Sequence, residues 1–295
     1  MRLRLTAPAK INWTLEVIGR RPDGFHEVKT ILQTIDLCDS LELESASELT
    51  LAATGEGLPP PQENLTTRAA RLLQESTGYS GGARIRLTKT IPVAAGLGGG
   101  SSDAAAALRG LDRLWGLALP HERLVELAAE VGSDVPFFLR GGTALAEGRG
   151  ERMAPLPDAP RAAILVVVPP LSIPHKTQRM YSLLSPRDYS DGAASDRLAA
   201  ALKQGQPLRE GDQYDVFDSL AFRAFPELET CRQALMQAGA SAVHLAGSGP
   251  GLFVLLRGEE QGERLARAAA SAGAKAFAAA TIVSSQALAA EELPD

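Results

Sequence analysis

A glycine-rich segment, Gly96-Leu97-Gly98-Gly99-Gly100, constrains this chain more than any other feature of the sequence. It follows an alternating, strand-like run over 84–89 and precedes an alanine-rich helix that we predict over 101–115. Consecutive glycines permit a tight turn with converging backbone N–H groups, and the helix start adds free amides and a positive dipole end. The segment therefore predicts an anion-binding loop. A glycine turn that only permits close packing is the alternative.

Two serines, Ser101 and Ser102, open the predicted helix. Their hydroxyls could contact a phosphate or the ligand shell of a magnesium ion, or could simply cap the helix. Known nucleotide loops do not match: a Walker A loop requires Gly-Lys followed by Ser or Thr, and a dinucleotide fingerprint requires glycine where Ser101 stands. The DFG and HRD-type motifs of protein kinases do not occur in the sequence either.

Composition and charge indicate what class of protein this sequence encodes. The 295 residues are 45% hydrophobic and 22% charged, which is typical of a globular protein, and the length predicts two domains. Because the net charge is −5, we expect no nucleic-acid partner and no anionic membrane surface, so an anionic ligand must be bound by local charges.

The chain carries features that indicate a cytoplasmic protein. The two cysteines, Cys38 and Cys231, match no metal or redox spacing and suit a reducing compartment. The N-terminal residues 1–10 lack the apolar core of a signal peptide. The most apolar run, 162–171, is about half the ~20 residues that cross a bilayer, and we interpret it as a buried strand.

Periodicity outlines the organisation. Apolar residues alternate from Ile11 to Val17, so we expect Lys10, Asn12 and Thr14 to share the face opposite the buried one. Helices are predicted over 64–77 and 120–131, each followed by glycine. Three prolines within 151–160 mark a boundary, which predicts domains over 1–155 and 156–295. The second half alternates strands and helices, as in an α+β domain.

Four further groups of residues are candidates for binding or catalysis. Lys10 and Asn12 lie on one strand face, where a solvated lysine is the plain alternative. Asp134 is a functional carboxylate, an N-cap for the turn that follows it, or both. The segment 247–251, Gly-Ser-Gly-Pro-Gly, is a hairpin or a second backbone nest for an oxyanion. Phe25 and His26 could stack on a base or close a strand end.

These segments together resemble the GHMP kinase superfamily, which includes sugar, homoserine, mevalonate and phosphomevalonate kinases. Residues 8–12 (Pro-Ala-Lys-Ile-Asn) are similar to its first motif, 92–103 to its phosphate-binding motif and 245–250 to its third motif. The resemblance spans nearly the whole chain in the same order. It is greatest to the members that act on 4-diphosphocytidyl-2-C-methyl-D-erythritol, on account of segments 19–27, 132–138, 141–144 and 148–151.

The resemblance implies an α+β fold of two domains: an N-terminal domain similar to ribosomal protein S5 domain 2 and a C-terminal ferredoxin-like domain, with the site between them. It implies that Lys10 and Asp134 are the catalytic pair, with Asn12 in their network. The implied substrate contacts are Phe25, His26, Tyr181 and Thr177. The implied ATP contacts are Asn64, Val93, Ala94, Ala95, Gly96, Leu97, Gly98, Gly99, Gly100, Ser101, Ser102 and Asp103, and the third glycine motif is Gly247, Ser248 and Gly249.

The implied reaction is ATP-dependent phosphorylation of the substrate's 2-hydroxyl in the non-mevalonate pathway to isoprenoid precursors. Mg²⁺ is expected, with Ser101 or Ser102 as its candidate ligand, and the protein is expected to be a monomer or a weak homodimer. Leu245, Ala246 and Gly251 depart from the usual third motif, and 214–217 departs from a segment that usually offers asparagine. Another GHMP kinase, of homoserine or mevalonate type, and a non-catalytic nucleotide-binding or RNA-contacting protein of the same fold are the alternatives.

Overall fold

The longest pairing in the fold joins β1 (Arg2–Arg20) and β2 (His26–Ala46), which run antiparallel over almost their full length. The computed structural model describes residues 1–209 and 211–294. Strands β3 to β6 extend the sheet: β4 pairs with β2, β3 runs parallel to β4, and β5 pairs with both β2 and β6. Their bounds are Thr50–Thr54, Gly82–Thr88, Thr143–Gly148 and Arg152–Pro155.

Four helices cover one face of this sheet and bury its apolar side chains in one cluster with their own. The predicted helices at 64–77, 101–115 and 120–131 are confirmed, and the second begins two residues earlier than predicted. Asn64 caps the first by accepting a hydrogen bond from the Thr66 amide at 2.9 Å. The bounds are α1 Leu65–Thr77, α2 Gly99–Trp115, α3 His121–Val131 and α4 Val135–Phe138.

A second sheet of four antiparallel strands follows, in the order β11-β7-β10-β9. Its strands are β7 (Ala163–Val168), β9 (His244–Leu245), β10 (Leu252–Leu255) and β11 (Lys275–Ala280). The expected mixture of helices and strands is confirmed. The helices of this half are α5 Lys176–Ser182, α6 Ala193–Lys203, α7 Asp218–Ala224, α8 Pro226–Gln237, α9 Glu259–Ser271 and α10 Ser284–Ala287, with a 3₁₀ turn at Pro186–Asp188.

Two short strands of the second half return to the first sheet. Strand β8 (Tyr214–Asp215) runs parallel to β1, and β12 (Ala290–Leu293) pairs with the beginning of β1. The segment predicted as a second domain, 156–295, is thus tied to the first sheet at two places; its last residue, Asp295, lies outside the described residues. Neither strand was predicted from the sequence, because each is only two to four residues long.

A register shift in β1 corrects the predicted face assignment. The pairing with β2 shifts between Asn12 and Thr14, so one extra residue stands opposite the partner strand. Lys10 and Asn12 therefore share the wall of a cleft with Leu15, while the Thr14 hydroxyl lies 2.8 Å from the Ser195 hydroxyl in α6. Both faces of this stretch are buried, so the solvated-lysine alternative for Lys10 is wrong.

A buried carboxylate on β1 fixes the start of α6. Glu16 is 2% exposed, and its two oxygens accept hydrogen bonds from the amides of Ser195 at 2.7 Å and Ala194 at 3.4 Å. Amides in the first turn of a helix have no partner within the helix, and a carboxylate there also interacts favourably with the helix dipole. Glu16 thus supplies the cap that Gly192, at the N-cap position, cannot supply.

We expect Glu16→Ala to lower the free energy of unfolding by about 1–3 kcal/mol, because it leaves buried amides without an acceptor. The measurement is urea denaturation of the variant and the parent. Asp196→Ala is the matched control: this carboxylate also lies in the first turn of α6, but it is 61% exposed and pairs with Lys29. The control substitution should lower the free energy of unfolding by about 0.5 kcal/mol or less. Equal losses in the two variants would contradict the capping role.

Candidate active site

The glycine-rich loop turns sharply and leads directly into α2. Three residues within it or just before it have a positive φ: Ala94 at +59°, Gly96 at +88° and Gly98 at +72°. A Cβ atom on Gly96 would lie 1.9 Å from the Ala246 carbonyl oxygen, and one on Gly98 would lie 2.8 Å from the Phe138 ring. Glycine is therefore required at both positions for conformation and for space. The amides of the first turn of α2 remain available to a ligand.

Backbone hydrogen bonds attach the loop to its surroundings on two sides. The Lys10 amide donates to the Leu97 carbonyl at 2.9 Å, and the Gly251 amide donates to the Ala95 carbonyl at 2.9 Å. The first bond links the loop to β1, and the second links it to the third glycine motif. The departure at Gly251 has a steric reason, because a Cβ there would lie 2.5 Å from the Ala95 oxygen.

A cavity of about 1820 Å³ opens above the loop. Of the residues predicted to form the site, all but two line this cavity. The exceptions are Ser102, whose hydroxyl is buried in α2 without a hydrogen-bond partner, and Gly249, which packs near Leu245. The lining residues are Lys10, Asn12, Phe25, His26, Asn64, Val93, Ala94, Ala95, Gly96, Leu97, Gly98, Gly99, Gly100, Ser101, Asp103, Asp134, Thr177, Tyr181, Gly247 and Ser248.

A hydrogen-bonded chain holds Lys10 in this cavity. Its Nζ donates to Asn12 Oδ1 at 2.7 Å, and Asn12 Nδ2 donates to the Thr30 hydroxyl at 2.7 Å. Burial lowers the pKa of Lys10, whereas the negative charges of Asp134 and Asp215 raise it. The bond to Asn12 leaves two N–H donors of the ammonium for a ligand.

Asp134 stands at the N-cap position of α4, but its side chain makes no capping hydrogen bond. Its carboxylate instead borders the cavity and attracts Lys10 electrostatically. The N-cap alternative is therefore wrong for the side chain. A partly exposed carboxylate and a buried ammonium thus border the same cavity, close to the glycine loop.

Aromatic side chains form the far end of the cavity. The rings of His26 and Tyr181 lie 5.0 Å apart, and Phe217 meets Tyr181 edge-on at 5.0 Å. Phe25 is 55% exposed, with the Arg149 guanidinium 4.8 Å above its ring. Burial and the positive charge of Arg20 lower the pKa of His26, so its ring is neutral at pH 7. A neutral imidazole can donate one hydrogen bond and accept another.

The third glycine motif and helix α5 close the cavity from the side of the second sheet. Gly247 lies against the catalytic candidates, since a Cβ there would be 2.8 Å from Lys10 Nζ and 3.2 Å from Asn12 Oδ1. The hydroxyls of Thr177 and Ser248 lie 3.3 Å apart, which joins the start of α5 to this motif.

Sequence reasoning missed several ionisable residues of the site, and two of them interact electrostatically with Lys10. Lys176 lines the cavity and donates from Nζ to the Ala94 carbonyl at 3.0 Å. Asp215 lies behind the cavity wall, where one oxygen accepts from the Phe217 amide at 2.8 Å and the other has no partner. Asp215 could have been found as an acidic residue in the segment that departs from the expected asparagine. Lys176 had only its position beside Thr177 as a signal.

Comparisons with known proteins identify the class. The model of the GHMP kinases N terminal domain matches residues 64–142, and that of the GHMP kinases C terminal domain matches 196–275. A homoserine kinase structure from Cytophaga hutchinsonii shares the fold, with a TM-score of 0.71 and 18% identity over 98% of this chain and 97% of that one. Fold and site thus define a small-molecule kinase of the GHMP type.

Proteins with higher sequence identity to this chain define its family within the GHMP kinases. A 4-diphosphocytidyl-2-C-methyl-D-erythritol kinase from Dehalococcoides mccartyi is 40% identical over 95% of this chain and 98% of its own length. The crystal structure of a 4-(cytidine 5'-diphospho)-2C-methyl-D-erythritol kinase has a TM-score of 0.81 and 38% identity, covering 94% and 98% of the two chains. The chain belongs to the 4-diphosphocytidyl-2-C-methyl-D-erythritol kinase family. Within its described residues, no helix combines the length and apolarity needed to cross a bilayer.

Beneath the loop, Lys89 bonds to two buried carboxylates. Its Nζ pairs with Asp39 and lies 2.7 Å from Asp103, while Asp39 also accepts the amides of Thr90 at 2.6 Å and Ile91 at 2.8 Å. Burial raises the pKa of Asp103 to about 8, against the opposing attraction of Lys89. Asp103 therefore keeps its proton at neutral pH in the folded protein.

This pKa predicts a pH-dependent stability. Between pH 4 and 8 the folded state binds one more proton at Asp103 than the unfolded state, whose carboxyl has a pKa near 3.8, so the group makes stability fall as pH rises. We expect the free energy of unfolding of Asp103→Asn, relative to that of the parent, to rise by about 1 kcal/mol or more when the pH is raised from 5 to 8.5. Urea denaturation of both proteins at the two pH values measures this difference. Asp39→Asn should lose stability at both pH values. Parallel pH profiles of Asp103→Asn and the parent would contradict the assignment.

Proposed function

We propose that this chain transfers the γ-phosphoryl group of ATP to the 2-hydroxyl of 4-diphosphocytidyl-2-C-methyl-D-erythritol. The observation that carries the proposal is a single cavity bordered by the glycine loop, by Lys10 with Asp134, and by the His26–Tyr181 ring pair. These groups match the three chemical parts of the reaction: the triphosphate, the reacting alcohol and the cytosine base.

The triphosphate is assigned to the glycine loop and the beginning of α2. Converging amides and the positive end of a 17-residue helix favour a polyanion there. The base of ATP is assigned to the region of Asn64, whose side chain already caps α1 and lines the cavity. In this arrangement, the γ-phosphate would extend toward Lys10 and Asp134.

Magnesium is expected to accompany ATP, and the oxygen donors beside the loop suit this hard cation. Ser101 borders the cavity, whereas the Ser102 hydroxyl does not reach it. Ser101 would therefore help to hold the ion, and the charge of the ion would neutralise part of the phosphate charge.

The hydroxyl of the substrate needs a proton acceptor and a fixed position. We assign the proton to the carboxylate of Asp134, since its side chain is free of capping bonds and borders the cavity. The hydroxyl oxygen then forms a bond to the γ-phosphorus while the bond to the bridging oxygen breaks, and ADP leaves with that electron pair. Lys10 would stabilise the charge on the transferred group and attract the Asp134 side chain.

The cytosine is assigned to the aromatic end of the cavity. Tyr181 and His26 offer a ring surface for stacking, and the neutral imidazole offers both a donor and an acceptor to the base edge. Thr177, beside Ser248, is assigned to the methylerythritol part. We place the reaction in the cytoplasm, because the free thiols Cys38 and Cys231 suit a reducing compartment.

We expect Asp134→Asn to lower kcat by at least ~10²-fold, because the amide cannot accept the hydroxyl proton. The Kd of ATP should change little, since the triphosphate is bound elsewhere. A coupled assay of ADP release with the cytidyl substrate, against a substrate-free blank, measures the turnover. Asp158→Asn, at an exposed carboxylate outside the cavity, is the matched control and should retain full activity. Near-normal turnover of Asp134→Asn would remove the base assignment.

His26→Ala should raise KM for the cytidyl substrate by about 10-fold or more and leave KM for ATP almost unchanged, because the imidazole lies at the aromatic end of the cavity. Steady-state kinetics with each substrate varied in turn separate the two constants. If both KM values rise equally, the cytosine does not bind at His26.

A further inference from the structure

Lys176 is the first residue of α5 and brings a positive charge into the cavity from the second half of the chain. Its Nζ donates a single hydrogen bond, to the Ala94 carbonyl in the glycine loop. Across residues 1–209 and 211–294, no carboxylate lies within 4.0 Å of this ammonium group, whereas Lys29 and Lys89 each have two and Lys275 has one. A half-buried ammonium without an ion pair is costly unless a ligand supplies the negative charge.

The charged side chains that line the cavity favour an anionic ligand beside Lys176. Although the whole chain carries a net charge of −5, five basic and three acidic side chains line the cavity. Burial and the positive charge of Lys10 lower the pKa of Lys176 to about 8, while Asp134 raises it. The basic residues are Lys10, Arg20, Lys89, Arg149 and Lys176, and the acidic ones are Glu63, Asp103 and Asp134.

The backbone and neighbours of Lys176 hold it at the loop. The preceding residue, His175, has a φ of +48°, a left-handed conformation that is uncommon for a residue other than glycine. The following residue, Thr177, contacts the third glycine motif through Ser248. The start of α5 is thus fixed between both glycine motifs, which directs the Lys176 ammonium to the phosphate side of the cavity.

We propose that Lys176 is a further catalytic residue that binds the γ-phosphoryl group of ATP during transfer, together with Lys10. This proposal rests on the proposed function and deepens it. The bond to Ala94 leaves two N–H donors for phosphate oxygens. An ammonium group placed on the transferred phosphoryl stabilises the charge that develops there, as basic residues do in other phosphoryl-transfer enzymes.

In a purely structural role, Lys176 would do no more than anchor the glycine loop through its hydrogen bond to the Ala94 carbonyl. Such an anchor would support every phosphate that the loop binds, so its loss would weaken the binding of ADP and the binding of ATP equally. If Lys176 contacts the γ-phosphoryl group, its loss would weaken the binding of the triphosphate only. The ratio of the two affinities therefore separates the roles without any measurement of turnover.

The test uses the full chain with Lys176→Met and Lys176→Arg, and calorimetric titration with ADP and with the imido analogue of ATP in the presence of Mg²⁺. We expect Lys176→Met to weaken the ATP analogue about 10-fold or more and ADP less than about 3-fold, with kcat about 10–100-fold lower. Lys176→Arg should restore part of both losses, since it retains the charge. Lys203→Met, at the exposed end of α6, is the matched control and should change neither affinity.

Equal weakening of ADP and the ATP analogue, or no change in either, would overturn the role of Lys176. Thermal unfolding of each variant verifies its fold, and Lys176→Gln replaces the methionine variant if that one is unfolded. If the parent binds the analogue with this lysine-dependent preference but does not phosphorylate the cytidyl substrate, the proposed substrate fails while the Lys176 contact stands. If it phosphorylates the substrate and Lys176→Met behaves as the parent, only the Lys176 proposal fails.

Discussion

Backbone hydrogen bonds from both halves of the molecule hold the glycine loop in its shape. The Lys10 amide binds the Leu97 carbonyl and the Gly251 amide binds the Ala95 carbonyl, so strand β1 and the third glycine motif position the same turn. Four glycines with little room for a side chain, Gly96, Gly98, Gly247 and Gly251, make these approaches possible. A loop anchored in this way keeps its amides oriented before a phosphate arrives, which reduces the reorganisation that binding requires.

The same anchoring brings the charges of the site together. Because the Lys10 backbone binds the loop, its ammonium is fixed beside that loop, and the shift in β1 directs Asn12 to the same wall. The N-terminus of α2 and the lysines provide positive potential inside a chain that is acidic overall. Local geometry, and not net charge, therefore determines which ligands such a cavity accepts.

Much of this arrangement follows from the sequence, because it depends on local chemistry. The helix boundaries at Asn64, Gly78 and Gly132 and the glycine loop are encoded within a few neighbouring residues. The bulge near Trp13 and the two-residue strand β8 depend on which strand lies alongside, and no local pattern specifies that. Lys176 was missed for the same reason, since its partner Ala94 is 82 residues away in the chain.

Asp215 illustrates how a departure from a family pattern can preserve the chemistry of a site. It stands in the segment where an asparagine is usual, and it is buried, with one oxygen bonded to the Phe217 amide and the other without a partner. Burial and the negative charge of Asp218 raise the pKa of Asp215 well above its ordinary value, which favours the neutral form of this carboxyl. A protonated carboxyl has the shape and neutrality of an amide. Asp134, and not Asp215, lines the cavity together with Lys10, so the carboxyl group that can meet a bound ligand there is that of Asp134.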